Sequence, residues 1–307
     1  MPAGFSRVAV LLAAYNGGEW IEEQISSVLA QVNVDVTLYI SVDLSTDNTY
    51  VVCRDISRRH SNVVLLPYGD KFGGAARNFF RLIKDVELSG FEFIAFADQD
   101  DHWYPDKLHR ATSLLRGGEC DAYSSNVTAF WPDGRTLLLD KAQPQVAWDF
   151  LFEAAGPGCT YVFRKEMAAQ LKISMLASWE ALQRVTFHDW YCYAFARSHG
   201  YKWFIDPLPG MGYRQHERNQ VGANVGVSSF ITRFKMMQDG WWFTQIRLIA
   251  SLVGKGNDPF VKRWLKLGRW QLIKLALNGC VCRRRVRDKL LFFFVCCATA
   301  VIGSRVK

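Results

Sequence analysis

The stretch "AFADQDDHWYPDKL", from Ala95 to Leu108, holds three closely spaced carboxylates, Asp98, Asp100 and Asp101. Like charges at this spacing repel one another, and a cation placed among them removes that cost. Carboxylate oxygens suit Mg²⁺ or Mn²⁺, which proteins often hold through one or two carboxylates together with substrate phosphates. An acidic surface turn is the alternative, because such turns also occur without a bound ion.

The neighbouring elements favour a site at this point of the chain. The apolar run "FEFIAFA" before the cluster predicts a strand buried on both faces, and Pro105 marks the start of the next helix. The first half alternates such runs with helical patterns, which is typical of βαβ units. We therefore predict an α/β fold with a mixed, mostly parallel sheet flanked by helices. Ligands of such sheets bind beyond the carboxyl ends of the strands.

Further polar residues follow other predicted elements. Tyr15 and Asn16 come after the strand "VAVLLAA", and Asp43 comes at the end of the strand "VTLYISV", which puts all three at the same edge of the sheet. A tight turn and a helix cap are the alternatives for these residues. Asp189 stands in the first turn of the predicted helix "HDWYCYAFARSHG", where a helix-dipole role is the alternative. His216 lies in a polar stretch, where a structural role is the alternative.

Composition limits the class of protein. The chain has 307 residues, of which half are hydrophobic, so it can form a large folded core. The eight cysteines include no CxxC pair. This pattern argues against a zinc site or a disulfide framework and favours reduced thiols in the cytoplasm.

Charge is distributed unevenly along the chain. Between Arg233 and Lys307 there are 16 Lys and Arg residues against 3 Asp and Glu residues, whereas the preceding 232 residues carry a net charge of −5. A mildly acidic body with a strongly basic tail indicates an anionic surface as a partner, either a membrane or nucleic acid. No recognised nucleic-acid-binding motif accompanies the basic run "CRRRVR", so the membrane is favoured.

The tail reads as three helices, Ser228–Val253, Asp258–Leu277 and Arg283–Ile302. In the middle helix the apolar residues Val261, Trp264, Leu265 and Leu272 share one face, and the basic residues Lys262, Lys266 and Arg269 share the other. Such a helix can lie in a membrane interface, and the alternative is that it packs on its own domain. The apolar run at the end of the tail would reach about 20 Å as a helix, which is short of a bilayer core of about 30 Å. We expect a catalytic domain over residues 1–226 and a membrane-associating tail over residues 227–307.

A set of motifs carries a family resemblance. They are "VAVLLAAYNGGEWIEEQISSVLAQ", "SVDLSTDNT", "GGAARNF", "FIAFADQDDHWYPDKL", "GCTYVFRKEM", "HDWYCYAF" and "YRQHERNQVG". In this order they resemble glycosyltransferase family 2, and within it the bacterial rhamnosyltransferase-type members, from about Val8 to Gly222. The resemblance implies a GT-A fold, a nucleotide-diphospho-sugar donor, a divalent metal and inversion at the anomeric carbon.

The resemblance also implies roles for residues on the nucleotide side of the site. By motif position Tyr15 and Asp43 would hold the nucleobase, and Arg77 and Asn78 would lie near the nucleotide. Asp98 would contact the ribose or the donor sugar.

Four more residues would act near the diphosphate and the acceptor. Asp100 would carry the Mg²⁺ or Mn²⁺ ion, and His216 would lie near the diphosphate or the metal. Asp101 would shape the site or touch the donor or acceptor, and Asp189 would be the catalytic base.

The expected function is the transfer of L-rhamnose from dTDP-rhamnose to a glycan or lipid-linked acceptor. This would take place in cell-surface polysaccharide or lipopolysaccharide synthesis, at the inner face of the cytoplasmic membrane. Val42 and Leu44 replace an Asp and a Gly that are common in the family, and Ala14 stands where a Thr is frequent. These departures leave a UDP-hexose donor open. A nucleotidyltransferase and a degenerate, membrane-bound glycan-binding protein are the alternatives from other classes.

Overall fold

A computed structural model describes residues 5–216 and 240–302 of the chain. Its first part alternates strands and helices as the sequence predicts. The elements are β1 (Ser6–Ala14), α1 (Ile21–Leu29), β2 (Val34–Val42), α2 (Thr49–Arg59), β3 (Val63–Leu65), α3 (Ala75–Asp85) and β4 (Phe93–Asp98).

The second part is less regular and includes two 3₁₀ turns, Asp149–Leu151 and Gly158–Thr160. Its first elements are β5 (His102–Trp103), α4 (Lys107–Arg116), β6 (Ala122–Ser125), β7 (Val127–Phe130) and β8 (Thr136–Leu139). They are followed by β9 (Val162–Arg164), α5 (Lys165–Ala177), α6 (Trp179–Leu182), α7 (His188–Ser198), β10 (Trp203–Asp206) and β11 (Met211–Arg214).

The main sheet has seven strands in the order β10-β6-β9-β4-β1-β2-β3. All neighbouring pairs are parallel except those of β9, which runs antiparallel to β4 and β6. The mixed, mostly parallel sheet is therefore confirmed. Ala14 of β1 pairs with Val42 of β2, and Ala13 pairs with Asp98 of β4, so these three strands end together at one edge.

A second sheet, in the order β5-β11-β7-β8, was not expected from the sequence. The strands β7 and β8 pair antiparallel as a hairpin around the turn "WPDG". Met211–Arg214 lie next to the polar stretch that contains His216, where the sequence indicated no strand. These residues form a strand because β5 and β7 pair with them on either side. The predicted polar stretch after His216 lies outside the described residues.

The core lies on both faces of the main sheet. Along β1, Val8, Val10 and Leu12 face one hydrophobic cluster, and Ala9 and Leu11 face the other. This alternation follows from the two-residue period of a strand. The continuous apolar run of β1 thus identifies a strand that is covered by helices on both sides.

The tail is broken into shorter helices than predicted. Between residues 240 and 302 they are α8 (Trp241–Leu252), α9 (Pro259–Lys262), α10 (Arg269–Ala276), α11 (Gly279–Cys282) and α12 (Val286–Ile302). The single helix expected over Asp258–Leu277 is wrong, because Leu267 adopts a left-handed conformation with φ 54° and Gly268 begins a new helix. The first part of the predicted helix Ser228–Val253 lies outside the described residues.

The tail packs on the first part of the chain, where α8 contacts α6, α7 and the 3₁₀ turn Asp149–Leu151. Val261, Trp264 and Leu272 are buried in the hydrophobic cluster that contains Leu11 of β1 and Phe79 of α3. The apolar face that the sequence assigned to a membrane interface is therefore covered by the protein itself, which corrects that expectation. Within the described ranges, no helix combines the length and apolar character that crossing a bilayer requires.

Candidate active site

The loop after β1 is hydrogen-bonded to the acidic loop after β4. Gln99 accepts a hydrogen bond from the backbone N–H of Tyr15 at 2.7 Å and donates one to its carbonyl oxygen at 2.8 Å. A Cβ at Gly17 would lie 2.2 Å from Gln99 Oε1, so this close approach requires glycine. The ring of Tyr15 is left half-exposed at the sheet edge, where it can meet a ligand.

Asp43 is buried at the end of β2 and is used to hold a loop. Its carboxylate accepts hydrogen bonds from the backbone N–H groups of Phe72 and Gly73, at 2.8 and 2.9 Å, and from that of Leu44 at 2.8 Å. Asp43 therefore fixes the chain that leads into α3 and shapes this side of the site.

Asn78 and Arg77 on α3 also form contacts within the protein. Asn78 is buried, and its amide donates to the carbonyl oxygens of Ala14 and Ser41 at 3.3 and 3.0 Å. Arg77 donates to the carbonyl oxygen of Gln183 at 3.0 Å. Asn78 thus ties the ends of β1 and β2 together, and Arg77 links α3 to the chain before α7.

Asp100 and His216 come together. Nε2 of His216 lies 2.8 Å from Oδ2 of Asp100, and the His216 ring stacks on Trp20 with centroids 4.0 Å apart. Arg214 donates from Nε to the carbonyl oxygen of Asp100 at 2.9 Å. β11 and the residues after it therefore reach back to the acidic loop and hold it.

Asp98 and Asp101 lie close together beside Cys159. One carboxylate oxygen of each and the Cys159 sulfur all lie within 4.8 Å of one another. Burial, with the charges of Asp100 and Asp189, raises the pKa of Asp98 to about 7. Burial and the charges of Asp100 and Asp98 raise the pKa of Asp101 well above its ordinary value. Burial also raises the pKa of Cys159, so it remains a thiol and is a poor metal ligand.

Lys107 lies behind this pair, fully buried. Its Nζ is 3.5 Å from the centroid of the Trp103 ring and has no hydrogen-bond partner among the described residues. Burial lowers the pKa of Lys107 to about 7, although the charge of Asp101 opposes the shift. Lys107 is therefore only partly protonated at neutral pH, and it supplies little positive charge to balance the carboxylates.

The residues present fit a hard divalent cation. Both oxygens of Asp101 are buried and lack a hydrogen-bond partner in the described part of the chain. Asp98 and Asp100 add further carboxylate oxygens, the ligands that Mg²⁺ and Mn²⁺ prefer. A cation at this cluster would relieve both the unsatisfied oxygens and the mutual repulsion.

Asp189 is the second residue of α7. Its carboxylate accepts a hydrogen bond from the backbone N–H of Trp190 at 2.8 Å. Burial raises its pKa to about 6, while the charge of Lys141 and backbone hydrogen bonds oppose the shift. Because the charge of Asp189 is one of the causes that raise the pKa of Asp98, the two carboxylates are close enough to interact. Gly158 lies against Asp189, and its neighbour Cys159 lies beside Asp98 and Asp101, so α7 begins close to the acidic loop.

His188, the neighbour of Asp189, is a core residue. Its ring stacks on Phe79 with centroids 3.9 Å apart and packs edge-on against Phe96. Burial lowers its pKa to about 3, so the ring is neutral at physiological pH. His188 thereby anchors the start of α7 without taking part in the charge of the site.

Several residues of the site carried no role in the sequence interpretation. They are Trp20, Gln99, Lys107, Gly158 and Cys159. Gln99 and Lys107 stand in the acidic stretch itself, and Gly158 and Cys159 stand in the motif "GCTYVFRKEM". The motifs thus pointed to the parts of the chain where these residues lie. The contacts of these residues join segments that are distant in the sequence, so residue spacing could not predict them.

Residues 6–203 match the family model described as glycosyltransferase like family 2. The chain belongs to glycosyltransferase family 2. It is 44% identical over 280 residues to the dTDP-rhamnosyl transferase RfbG of Shigella flexneri, covering 91% of this chain and 96% of that protein. It is 28% identical over 195 residues to the putative teichuronic acid biosynthesis glycosyltransferase TuaG of Bacillus subtilis, covering 59% of this chain and 73% of the relative. The protein is a glycosyltransferase.

Solved structures agree on the fold. The S. aureus TarS structure of residues 1–349 superposes with a TM-score of 0.57 at 12% identity, covering 98% of this chain and 93% of that one. The mannosyltransferase PcManGT of Pyrobaculum calidifontis, solved with GDP-Man and Mn²⁺, superposes with a TM-score of 0.52 at 13% identity, covering 98% and 88%. The family 2 transferase described here therefore has the GT-A fold of these enzymes.

Proposed function

We propose that this glycosyltransferase moves L-rhamnose from dTDP-rhamnose to a glycan acceptor in cell-surface polysaccharide or lipopolysaccharide synthesis. The choice of donor rests on one observation, the 44% identity to the dTDP-rhamnosyl transferase RfbG over 91% of the chain. The site supports the reaction class, because a carboxylate cluster and a separate carboxylate on α7 are close enough for the charge of one to affect the other.

Asp189 is the base of the proposed reaction. A carboxylate with a pKa of about 6 is ionised at neutral pH and is more basic than an ordinary aspartate. It accepts the proton of the acceptor hydroxyl while that oxygen attacks the anomeric carbon. The bond from the anomeric carbon to the diphosphate oxygen breaks on the opposite face, so a single displacement inverts the configuration.

Asp100 and His216 would hold the Mg²⁺ or Mn²⁺ ion, with Asp98 and Asp101 beside it. When bound, the cation supplies positive charge against the leaving nucleoside diphosphate. The stack of His216 on Trp20 fixes the ring in the position where it meets Asp100. Asp98 would contact the ribose or the donor sugar.

The nucleobase is assigned to the edge formed by Tyr15 and Asp43. The exposed ring of Tyr15 offers a stacking surface, and Asp43 holds the 72–73 loop that forms the adjacent wall. Arg77 and Asn78 support the same wall through contacts within the protein. Their proposed role is therefore to shape the nucleotide site.

We assign catalysis to residues 1–226 and membrane association to residues 227–307. Two tail helices expose apolar side chains at helical spacing: Trp270, Ile273 and Leu277 near α10, and Leu290, Phe294 and Val301 on α12. Exposed basic residues accompany them, among them Lys262, Lys266 and Arg269. Aromatic and basic side chains together suit the surface of an anionic bilayer, so we place the enzyme at the cytoplasmic face of the membrane with a lipid-linked acceptor.

Vesicle flotation tests the membrane proposal. The full chain should float with vesicles that contain anionic lipid, and the double variant Trp270→Ser/Phe294→Ser should not. The matched control is Leu138→Ser/Ile173→Ser, which removes two exposed apolar side chains outside the tail. Equal flotation of both double variants would contradict the assignment.

Nucleoside-diphosphate release from a panel of nucleotide sugars tests the reaction. We expect release from dTDP-rhamnose that requires Mn²⁺ or Mg²⁺ and is lost in Asp100→Asn. Asp189→Asn should reduce transfer to an acceptor by about 10²- to 10⁴-fold while leaving donor affinity unchanged. If nucleoside diphosphate is released only from a UDP-hexose, the proposed donor is wrong and the assignment as a glycosyltransferase stands. The substitutions at Val42 and Leu44 leave this alternative open.

A further inference from the structure

The basic run of the tail contains an arginine that is buried inside the protein. The side chain of Arg284 is only 2% exposed, whereas that of Arg287 in the same run is 77% exposed. Burying a guanidinium is costly unless it is paired and hydrogen-bonded. The contacts of Arg284 therefore indicate a specific task that a membrane-facing charge would not perform.

Arg284 docks the tail on the segment of residues 149–158, called here the bridging segment. Its Nη2 donates to the carbonyl oxygen of Ala154 at 2.6 Å, and its backbone N–H donates to Oε1 of Glu153 at 2.8 Å. Its Nε lies 3.7 Å from Oδ2 of Asp149 and 3.6 Å from Oε1 of Glu153. The adjacent Arg283 adds a hydrogen bond to the carbonyl oxygen of Phe152 at 2.8 Å.

The same bridging segment holds helix α7. Asp149 accepts hydrogen bonds from Tyr193 at 2.9 Å and from Arg197 at 3.1 Å. The indole N–H of Trp190 donates to the carbonyl oxygen of Phe150 at 3.1 Å. Asp149 thus joins the tail arginine to two residues on the helix that begins with His188 and Asp189.

The other end of the bridging segment touches the proposed base directly. A Cβ at Gly158 would lie 3.1 Å from Cβ of Asp189 and 2.5 Å from Nε2 of His188. Between the two ends, the Tyr161 hydroxyl accepts from the N–H of Ala155 and lies 3.3 Å from the carbonyl oxygen of Gly156. The segment is therefore fixed at the tail, in its middle and against Asp189.

We infer that Arg284 is a positioning residue for Asp189: through the bridging segment and Asp149, the tail sets the placement of the carboxylate at the start of α7. The inference rests on the proposed role of Asp189 as the base. It gives the tail a part in transfer itself, separate from any membrane contact. Donor binding is expected to be independent of Arg284, because its contacts fall on the bridging segment, whereas the donor residues lie at the ends of β1, β2 and β4 and on α3.

The test compares Arg284→Met with Arg287→Met in the full chain. We expect Arg284→Met to lower kcat for transfer by about ten- to a hundred-fold, the cost of a small misplacement of a reacting group. Its affinity for the nucleotide sugar, measured by calorimetry, should equal that of the wild type. Arg287→Met, which removes an exposed arginine from the same run, should behave as the wild type.

A double-mutant cycle separates positioning from general damage. If Arg284 acts through Asp189, adding Arg284→Met to Asp189→Asn should cause no further loss of transfer. The inference would be overturned if the activity losses of the two single variants multiplied in the double variant. It would also be overturned if Arg284→Met bound the donor more weakly, or if it folded and transferred sugar at the wild-type rate. Should Arg284→Met fail to fold, Arg284→Lys keeps the charge but not the planar fork, and the same outcomes apply to it. Full transfer activity in Asp189→Asn alone would instead refute the base assignment in the proposed function.

Discussion

Nε2 of His216 lies 2.8 Å from Oδ2 of Asp100, a contact that spans 116 positions of the chain. One partner follows the last strand of the second sheet and the other follows a central strand of the main sheet. The pair therefore depends on both sheets being assembled. It also adds an imidazole to the three neighbouring carboxylates of the acidic loop.

Loss of His216 should weaken metal binding. In His216→Ala we expect the Mn²⁺ concentration for half-maximal activity to rise by about ten- to a hundred-fold, because Asp100 loses both its partner and a nearby ligand. Metal titrations of donor hydrolysis measure this. His109→Ala, at an exposed histidine on α4, is the control and should titrate as the wild type. An unchanged Mn²⁺ requirement in His216→Ala would exclude a role for His216 at the metal.

Transfer should lose activity in acid. The pKa of Asp189 is raised to about 6 by burial, so this carboxyl becomes protonated at a higher pH than an ordinary aspartate. A protonated carboxyl cannot accept the acceptor proton, and kcat/KM should fall about tenfold for each pH unit below 6. The pKa of Asp98 is raised to about 7, so protonation of this carboxyl should also weaken metal binding as the pH falls. Profiles recorded at saturating Mn²⁺ isolate the Asp189 effect, which should be absent from the residual activity of Asp189→Asn.

Much of the main sheet and the place of the site could be predicted from the sequence. Apolar runs such as that of β1 identify buried parallel strands, and their shared direction brings Tyr15, Asp43 and Asp98 to one edge. The individual roles could not be predicted in the same way. Asp43 and Asn78 are occupied by hydrogen bonds to backbone groups, and such contacts depend on how loops return to the sheet.

The tail shows a different limit of sequence reasoning. Periodicity correctly separated Val261 and Trp264 from the basic residues on the opposite face. It could not say what covers the apolar face, because a protein core and a bilayer offer the same apolar environment. Likewise, the arginines of the run "CRRRVR" cannot be told apart by composition, although Arg284 is buried and Arg287 is exposed. Only the tertiary contacts distinguish them.

A methyl group at Gly158 should disturb the start of α7. The added Cβ would lie 2.5 Å from Nε2 of His188, whose ring is held between Phe79 and Phe96 and has little room to move. We expect Gly158→Ala to cost about 1–3 kcal/mol of stability through overpacking and to lower transfer about tenfold or more. Thermal unfolding and transfer assays measure the two effects. Gly90→Ala, where a Cβ meets nothing within 4 Å, is the control. Unchanged transfer in Gly158→Ala would show that the bridging segment does not constrain Asp189.

Lys107 is expected to be a source of instability. Burial lowers its pKa from the ordinary 10.5 to about 7, so the protonated form is disfavoured in the folded state. The cost is fully present below pH 7, where the group is protonated in both states, and it disappears above about pH 10.5. Methionine fills a similar volume without a charge. Lys107→Met should therefore raise Tm at pH 6 by about 3 °C or more, since about 1 kcal/mol shifts Tm by roughly 2–4 °C at this size.

The gain should shrink as the pH rises towards 10, because the lysine of the unfolded wild-type chain then loses its proton as well. Lys202→Met, at an exposed lysine before β10, should show no such dependence. A fall in Tm at pH 6 would mean that the charge of Lys107 is needed to balance Asp101, whose own charge favours the protonated lysine. In that case added Mn²⁺ should restore the Tm of Lys107→Met, because a cation at the acidic loop would supply the missing charge. The sign of the Tm change thus decides whether the charge of Lys107 costs stability or is needed to balance the carboxylates.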